Sequence, residues 1–264
     1  MGRTSVRSGR ILLLAALISL VAYMGRVGAA DVADDEFKVI VDQEGKILTK
    51  GVVAVEKAMG KAKKSVERNA SNGAKSSAMI LAAIANERIA GKDPAADAKA
   101  AGIRDAAIQL YKDASEKNFK AIAEGAKAIA DAKPGNDAKK LDISKAFGEP
   151  SVGDVMHNFL RADQYGTNAE ADIIANAKKP VAKPEATIAI AHRVLAMYEY
   201  SKTVSNAEGA DKKKQWDEFN EKMKKATTDL LAAGRAKKTG ADLGKVYLAV
   251  DGSCKACHNV FKSE

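Results

Sequence analysis

The chain of 264 residues is poor in several residue types that would direct it to particular folds. It has two cysteines, five prolines and only 5% aromatic residues. Both cysteines lie in the last eleven residues, whereas a small secreted domain stabilised by disulfides carries more of them, spread along the chain. Beyond residue 30 the chain also lacks an apolar run near the roughly 20 residues that a membrane-spanning helix needs. These absences exclude a disulfide-stabilised scaffold and a protein with several membrane spans.

The first 30 residues have the composition of a targeting segment. Arg3, Arg7 and Arg10 precede an uncharged apolar run at 11–24, and small residues follow up to Ala30. This order predicts a secretory signal peptide that is cleaved after Ala30. The alternative is a retained membrane anchor, but the run of 14 residues is short for a span. We therefore expect a chain that is periplasmic or otherwise extracytoplasmic, and not an integral membrane protein once the signal is removed.

The charge of the chain is basic but evenly spread. Without residues 1–30 it has 39 basic and 34 acidic residues, a net charge of +5. Lysine and glutamate are interleaved along helical segments, and aromatic residues are few. This pattern is typical of solvated helix faces and does not predict a nucleic-acid-binding surface.

Apolar residues recur at spacings of three, four and seven along most of the chain, which predicts an all-α fold. One short segment, 37–41, alternates slightly and is the only candidate strand. The clearest seam is formed by Trp216, Phe219, Met223 and Leu230, which predicts a helix packed nearly parallel or antiparallel to its neighbours. The predicted helices lie at about 46–69, 74–90, 95–132 (two helices or one bent helix), 151–163, 173–177, 185–201, 216–230 and 240–262.

A loop at about 134–150, which ends in Gly148-Glu149-Pro150, marks the predicted domain boundary. We expect one helical domain at 31–145 and a second at 150–264. Each half has about four helices of similar length and order, which suggests a duplicated bundle, although the halves share no motif.

The motif Cys254-Lys255-Ala256-Cys257-His258 is the attachment signature of c-type haem. Each thiol adds to one vinyl group at the haem edge, which gives two thioether bonds. On a helix, residues i, i+3 and i+4 share one face, so both cysteines and His258 project toward the same space. The imidazole of His258 is then the proximal ligand of the haem iron. The motif predicts one covalently attached haem c.

Three other interpretations use the same residues. A thioredoxin-like redox pair has this cysteine spacing but lies where a strand leads into a helix of an α/β fold, which the sequence does not predict. A structural zinc site usually has four ligands, and no second Cys or His pair is near in sequence. A local disulfide between Cys254 and Cys257 stays open in an oxidising compartment, but it gives no reason for His258.

The run that starts at Cys254 and continues through Phe261 and Lys262 resembles the C-terminal signature of class II c-type cytochromes, the cytochrome c-prime group. The resemblance implies a four-helix bundle with the haem motif on its last helix. An aromatic and a basic residue follow the histidine in that family, and Phe261 and Lys262 match them. The resemblance covers about 150–264 and leaves 31–149 unexplained. Family members are often dimers, which suggests a homodimer here.

The resemblance also implies that the distal side of the haem faces the first helix of the bundle. Met156 lies there, and low-spin members of the family use a methionine at this place as the second axial ligand. A methionine at such a position is otherwise core packing. His157 is the next candidate, although adjacent helical positions point about 100° apart. His192 is a third candidate, for which a structural or surface role is the alternative.

Three functions follow from these observations. The first is an exported carrier of single electrons that docks with redox partner proteins. The second is a haem protein that binds small gas ligands such as NO or CO. The third is a helical interaction or scaffold protein with a local disulfide. The sequence contains no pairing of a nucleophile with a base, so it does not predict an enzyme. Residues 31–149 hold no Cys or His and therefore cannot hold a second attached haem of this type. We expect them to act in packing or docking.

Overall fold

The computed structural model describes residues 32–160, 168–205 and 207–261, except for the side chains of 152 and 158–160. The predicted signal peptide and Lys262 lie outside the described residues. Within them the fold is all-helical and has no strand. The helices are α1 (Asp34–Lys57), α2 (Lys63–Arg88), α3 (Pro94–Ser115), α4 (Phe119–Ala128), α5 (Ile143–Ala146), α6 (Val152–Leu160), α7 (Ala169–Lys178), α8 (Pro184–Ser201), α9 (Ala210–Arg235) and α10 (Gly240–Phe261).

The helix α2 is the centre of the N-terminal half. It packs against α1 and α3 on one side and against α6 and α8 of the C-terminal half on the other. Its eight consecutive residues 78–85 are all buried, and half of them are alanine. A helix that is apolar all round can be stable only when neighbours cover every face, and alanine lets those neighbours approach closely.

Two predictions for this half are wrong. Segment 37–41 is not a strand but lies in α1, where Phe37, Ile40 and Val41 bury one helical face at steps of three and four. The helix predicted at 46–69 is interrupted, since α1 ends at Lys57 and α2 begins at Lys63. Between them Gly60 adopts a φ of +60°, a left-handed conformation that glycine takes without strain.

The helix predicted at 74–90 is part of α2, which begins eleven residues earlier, at Lys63, and runs through the predicted break at 70–73. The helices predicted from residue 95 onward all occur, with ends that differ by up to about six residues where the structure describes them. The stretch 95–132 forms two helices, α3 and α4, because Lys117 adopts a φ of 56° and the side chain of Asn118 caps α4 by accepting from the Ala121 amide. Pro184 stands in the first turn of α8, where its missing N–H costs nothing. The last two predicted helices are α9 and α10.

The two halves are joined by buried ion pairs. The carboxylate of Glu36 bonds the guanidinium of Arg235 at 2.7 Å and the ring of His192 at 3.0 Å. Burial raises the pKa of Glu36, but the hydrogen bonds with Arg235 and His192 outweigh it and bring the pKa down to about 2. Nearby, Glu44 is fully buried and pairs with Arg193 at 2.8 Å. All of these contacts link α1 to α8 or α9.

The apolar core is also continuous across the loop at 134–150, since it includes residues of both halves. In that loop Phe147 contacts the ring of Tyr111 on one side and that of Tyr200 on the other, at 4.6 and 6.0 Å between ring centres. The contacts across 145–150 do not test whether the two halves fold independently, so the domain boundary there stays a prediction. None of the described helices is both long and apolar enough to cross a bilayer.

Candidate functional site

The last helix, α10, presents the cysteine motif at its C-terminal end. Leu243, Tyr247 and Val250 are buried at steps of four and three, which fixes the rotation of the helix against α7 and α9. The hydroxyl of Tyr247 also donates to the Thr187 hydroxyl on α8 at 3.0 Å. The same rotation turns the face with both cysteines and His258 inward, to a cleft.

The cleft lies between four helices, is open to solvent on one side and has a cavity volume of about 20 Å³. Its walls are mostly thioether, aromatic and thiol groups. The polar side chains of Asn220 and Ser253 are engaged with backbone, since Asn220 donates to the Ser201 carbonyl at 3.1 Å and Ser253 to the Val250 carbonyl at 2.7 Å. The lining residues are Met156 of α6, Met197 of α8, Phe219, Asn220 and Met223 of α9, and Ser253, Cys254, Cys257 and His258 of α10.

The two thiols are free and half-buried beside this cleft. Burial raises the pKa of Cys254 to about 11, with smaller contributions from the charges of Asp251 and Glu170, against a hydrogen bond with Ser253 that lowers it. Burial also raises the pKa of Cys257. Both groups are therefore neutral thiols at neutral pH. A redox pair that attacks disulfides has the opposite property, because the thiolate is the nucleophile.

The end of α10 is fastened by aromatic contacts. The ring of Phe261 packs edge-on against Trp216 and Phe219, with ring centres 5.2 and 6.1 Å apart. The indole N–H of Trp216 donates to the Ser201 carbonyl at 2.9 Å, which ties α9 to the end of α8. Phe261, which the family resemblance singled out, thus holds the motif-bearing turn against the cleft wall.

The structure brings some of the predicted residues together and separates others. Met156 lines the same cleft as Cys254, Cys257 and His258. His157 is exposed and is not among the lining residues. His192 is buried in the ion-pair cluster with Glu36 and Arg235, so its position fits the structural role.

Two further methionines line the cleft that the sequence did not single out as site residues. Met197 and Met223 are 1% and 6% exposed. Met223 was part of the seam predicted for α9, together with Phe219, but nothing in its spacing distinguishes a cleft wall from ordinary core. Met197 gave no local signal, because its place depends on how α8 packs against α9.

The donor chemistry of the cleft fits a haem attached by two thioethers. Two thiols and an imidazole share one helical face, and the space in front of them is lined mostly by thioether and aromatic groups. Among the described residues no three of His, Cys, Asp and Glu gather in a group that could hold a bare metal ion. Comparison of the chain with protein-family models, with curated proteins and with solved structures gave no match.

Proposed function

We propose that this chain is an exported mono-haem c-type cytochrome that carries single electrons between redox partner proteins. Residues 1–30 direct its export. The C-terminal half forms a four-helix bundle of the class II kind around the haem. Its first member is α6 with α7, and the other three are α8, α9 and α10. The N-terminal half buttresses this bundle through α2 and the ion pairs of α1.

The observation that carries the proposal is the meeting of four residues in one cleft. Cys254, Cys257 and His258 come from one helix, and Met156 comes from another helix almost 100 residues earlier in the chain. The first three follow from local spacing. The approach of Met156 does not, and the resemblance to class II cytochromes implies a methionine as the second protein ligand of the iron.

Cys254 and Cys257 would hold the haem through thioether bonds, His258 would ligate its iron, and Met156 would be the second protein ligand. The haem supplies a one-electron Fe(III)/Fe(II) couple. The thioether and aromatic side chains of the cleft would limit its contact with water, which favours a reversible change of charge with little rearrangement. Among the described lining residues none carries a carboxylate, and His258 is the one imidazole, so the cleft offers no acid–base pair for peroxide chemistry.

The first test is the cofactor itself. Protein purified from a host that exports it and matures c-type cytochromes is expected to contain one haem per chain that survives acid–acetone extraction and gives a c-type pyridine haemochrome spectrum. A chain without haem from such a host would refute the carrier and the gas-binding function together, and would leave the scaffold function.

Replacing Met156 with alanine is expected to remove the methionine–iron charge-transfer band of the oxidised protein. The loss of the thioether leaves the iron high-spin and open to carbon monoxide. The matched controls are Met197→Leu and Met223→Leu, which change the other two thioethers of the cleft and should keep the band. If the band persists in Met156→Ala, or disappears in a control instead, the assignment of Met156 is wrong.

High-spin iron in the unaltered protein, with ready carbon monoxide binding, would contradict the electron-carrier proposal and favour gas binding. The same absorption spectra therefore separate the two haem functions. They need no knowledge of the natural partner.

A further inference from the structure

The turn between α1 and α2 carries a cluster of exposed lysines around an exposed methionine. We call residues 57–64 the basic tip. Lys57, Lys61, Lys63 and Lys64 are all exposed, and no acidic residue lies between positions 57 and 66. Met59 stands in their midst and is 84% exposed. This is the most exposed of the large apolar side chains in the described part of the chain.

Two of the four lysines of the basic tip are not placed to stabilise the helix that they begin. Lys57 ends α1 and complements the negative end of its dipole. Lys63 and Lys64 instead lie in the first turn of α2, at the positive end, where acidic residues are favoured and none is present. The Nζ of Lys63 lies 4.0 Å from the Oε1 of Glu67, which is a long distance for an ion pair. Lys63 and Lys64 thus oppose the dipole of a 26-residue helix, so helix stability does not explain their presence.

An exposed apolar side chain ringed by cations matches the chemistry of an anionic lipid surface. Lysines near such a surface are attracted to the headgroups, and an apolar side chain between them can enter the boundary with the acyl chains. A single exposed apolar residue is ordinary on a protein surface. Here it coincides with four cations within eight residues, and Val53, one turn earlier on α1, is also 37% exposed.

We propose that the basic tip docks the protein reversibly on a bilayer that contains anionic phospholipid, with Met59 inserted at the headgroup boundary. The lysines supply most of the attraction and make it sensitive to salt. The tip belongs to α1 and α2, and none of its residues lines the cleft. The proposal does not depend on the haem.

Flotation with vesicles tests this directly. The purified exported protein should float with vesicles of phosphatidylglycerol and phosphatidylcholine, and not with phosphatidylcholine alone. Each lysine near an anionic surface contributes about a fivefold change in partitioning. Replacing Lys57, Lys61, Lys63 and Lys64 with glutamine should therefore weaken binding by about a hundredfold or more, and raising the salt should do the same.

The matched control replaces four other exposed lysines with glutamine and so removes the same charge: Lys178, Lys179, Lys237 and Lys238. It should bind anionic vesicles nearly as well as the unaltered chain. Met59→Ser keeps every charge and should weaken binding by about fivefold. Circular dichroism confirms that each variant is folded.

Three results would overturn the proposal. They are failure of the unaltered protein to bind anionic vesicles, equal loss in the tip and control variants, and full binding by the tip variant. Full binding by Met59→Ser would show that Met59 does not insert into the bilayer, and would overturn that part of the proposal. Binding of the tip to an acidic protein, with no binding to vesicles, would assign it to a protein partner instead.

Discussion

A chain in which Cys254 and Cys257 are both replaced by alanine is expected to lose all haem on acid–acetone extraction. The two thioether bonds are the only covalent links that the proposed site provides, and acid–acetone extracts haem that is held without them. The expected change is from one extraction-resistant haem per chain to none. Intact mass and the pyridine haemochrome spectrum measure it.

The control for this variant lies between the two cysteines. Lys255 is exposed and donates to the carboxylate of Asp251, one turn earlier on α10. Lys255→Gln alters the motif while leaving both thiols and His258, so it should keep one extraction-resistant haem. Resistant haem in the double alanine variant would show that attachment uses another residue.

Thiol titration of the unaltered protein separates thioethers from a local disulfide. In denaturant with reductant, two thioethers give no titratable thiol, whereas a disulfide gives two. The raised pKa values of Cys254 and Cys257 also bear on when the haem is attached. The folded chain without haem presents neutral thiols, so attachment is expected to be faster before the cleft closes than after it.

The sequence predicted the parts of the site that depend on local geometry. The spacing of the cysteines and His258 on one helix can be read directly, because helical periodicity is fixed. Met156 was placed by a family resemblance, and the structure brings it to the same cleft. Met197 and the surroundings of His192 could not be predicted. The partners of His192 in the ion-pair cluster include Glu36, 156 residues away, and no local pattern records such a contact.

The fold shows the same division. Helix ends marked by Pro94 or Pro184 were predicted well, since proline excludes the preceding backbone from helix. The end of α1 was missed because Gly60 was the only signal in a stretch rich in alanine and lysine, both strong helix formers. A slight alternation over five residues at 37–41 was too short to outweigh the packing of a 24-residue helix.

Replacing Glu44 with leucine is expected to be the most destabilising of the changes considered. Its carboxylate is fully buried, pairs with Arg193 at 2.8 Å and accepts from the Ser77 hydroxyl at 2.7 Å. Removing one partner of a buried pair leaves the other charge uncompensated, which costs about 3–5 kcal/mol. That is a large part of the roughly 5–15 kcal/mol by which domains are stable. The midpoint of urea unfolding, followed by circular dichroism, should fall accordingly.

Two controls show whether the lost charge pairing causes the change. The variant Glu44→Leu/Arg193→Met replaces both charges by apolar groups and should recover most of the stability, because a well-packed apolar pair can match a buried ion pair. Lys225→Ala breaks the exposed pair with Asp229 and should leave the midpoint unchanged. An unchanged midpoint in Glu44→Leu would mean that the buried pair contributes nothing.

The same unfolding curves test the predicted division at 145–150. Trp216, the only tryptophan, lies buried in the C-terminal half, whereas Glu44 lies in the N-terminal half. Because Arg193 of α8 holds Glu44 and the core is continuous across the boundary, the fluorescence of Trp216 should shift to lower urea together with the circular dichroism. If Trp216 unfolds at its original urea concentration in Glu44→Leu, the two halves are independent folding units.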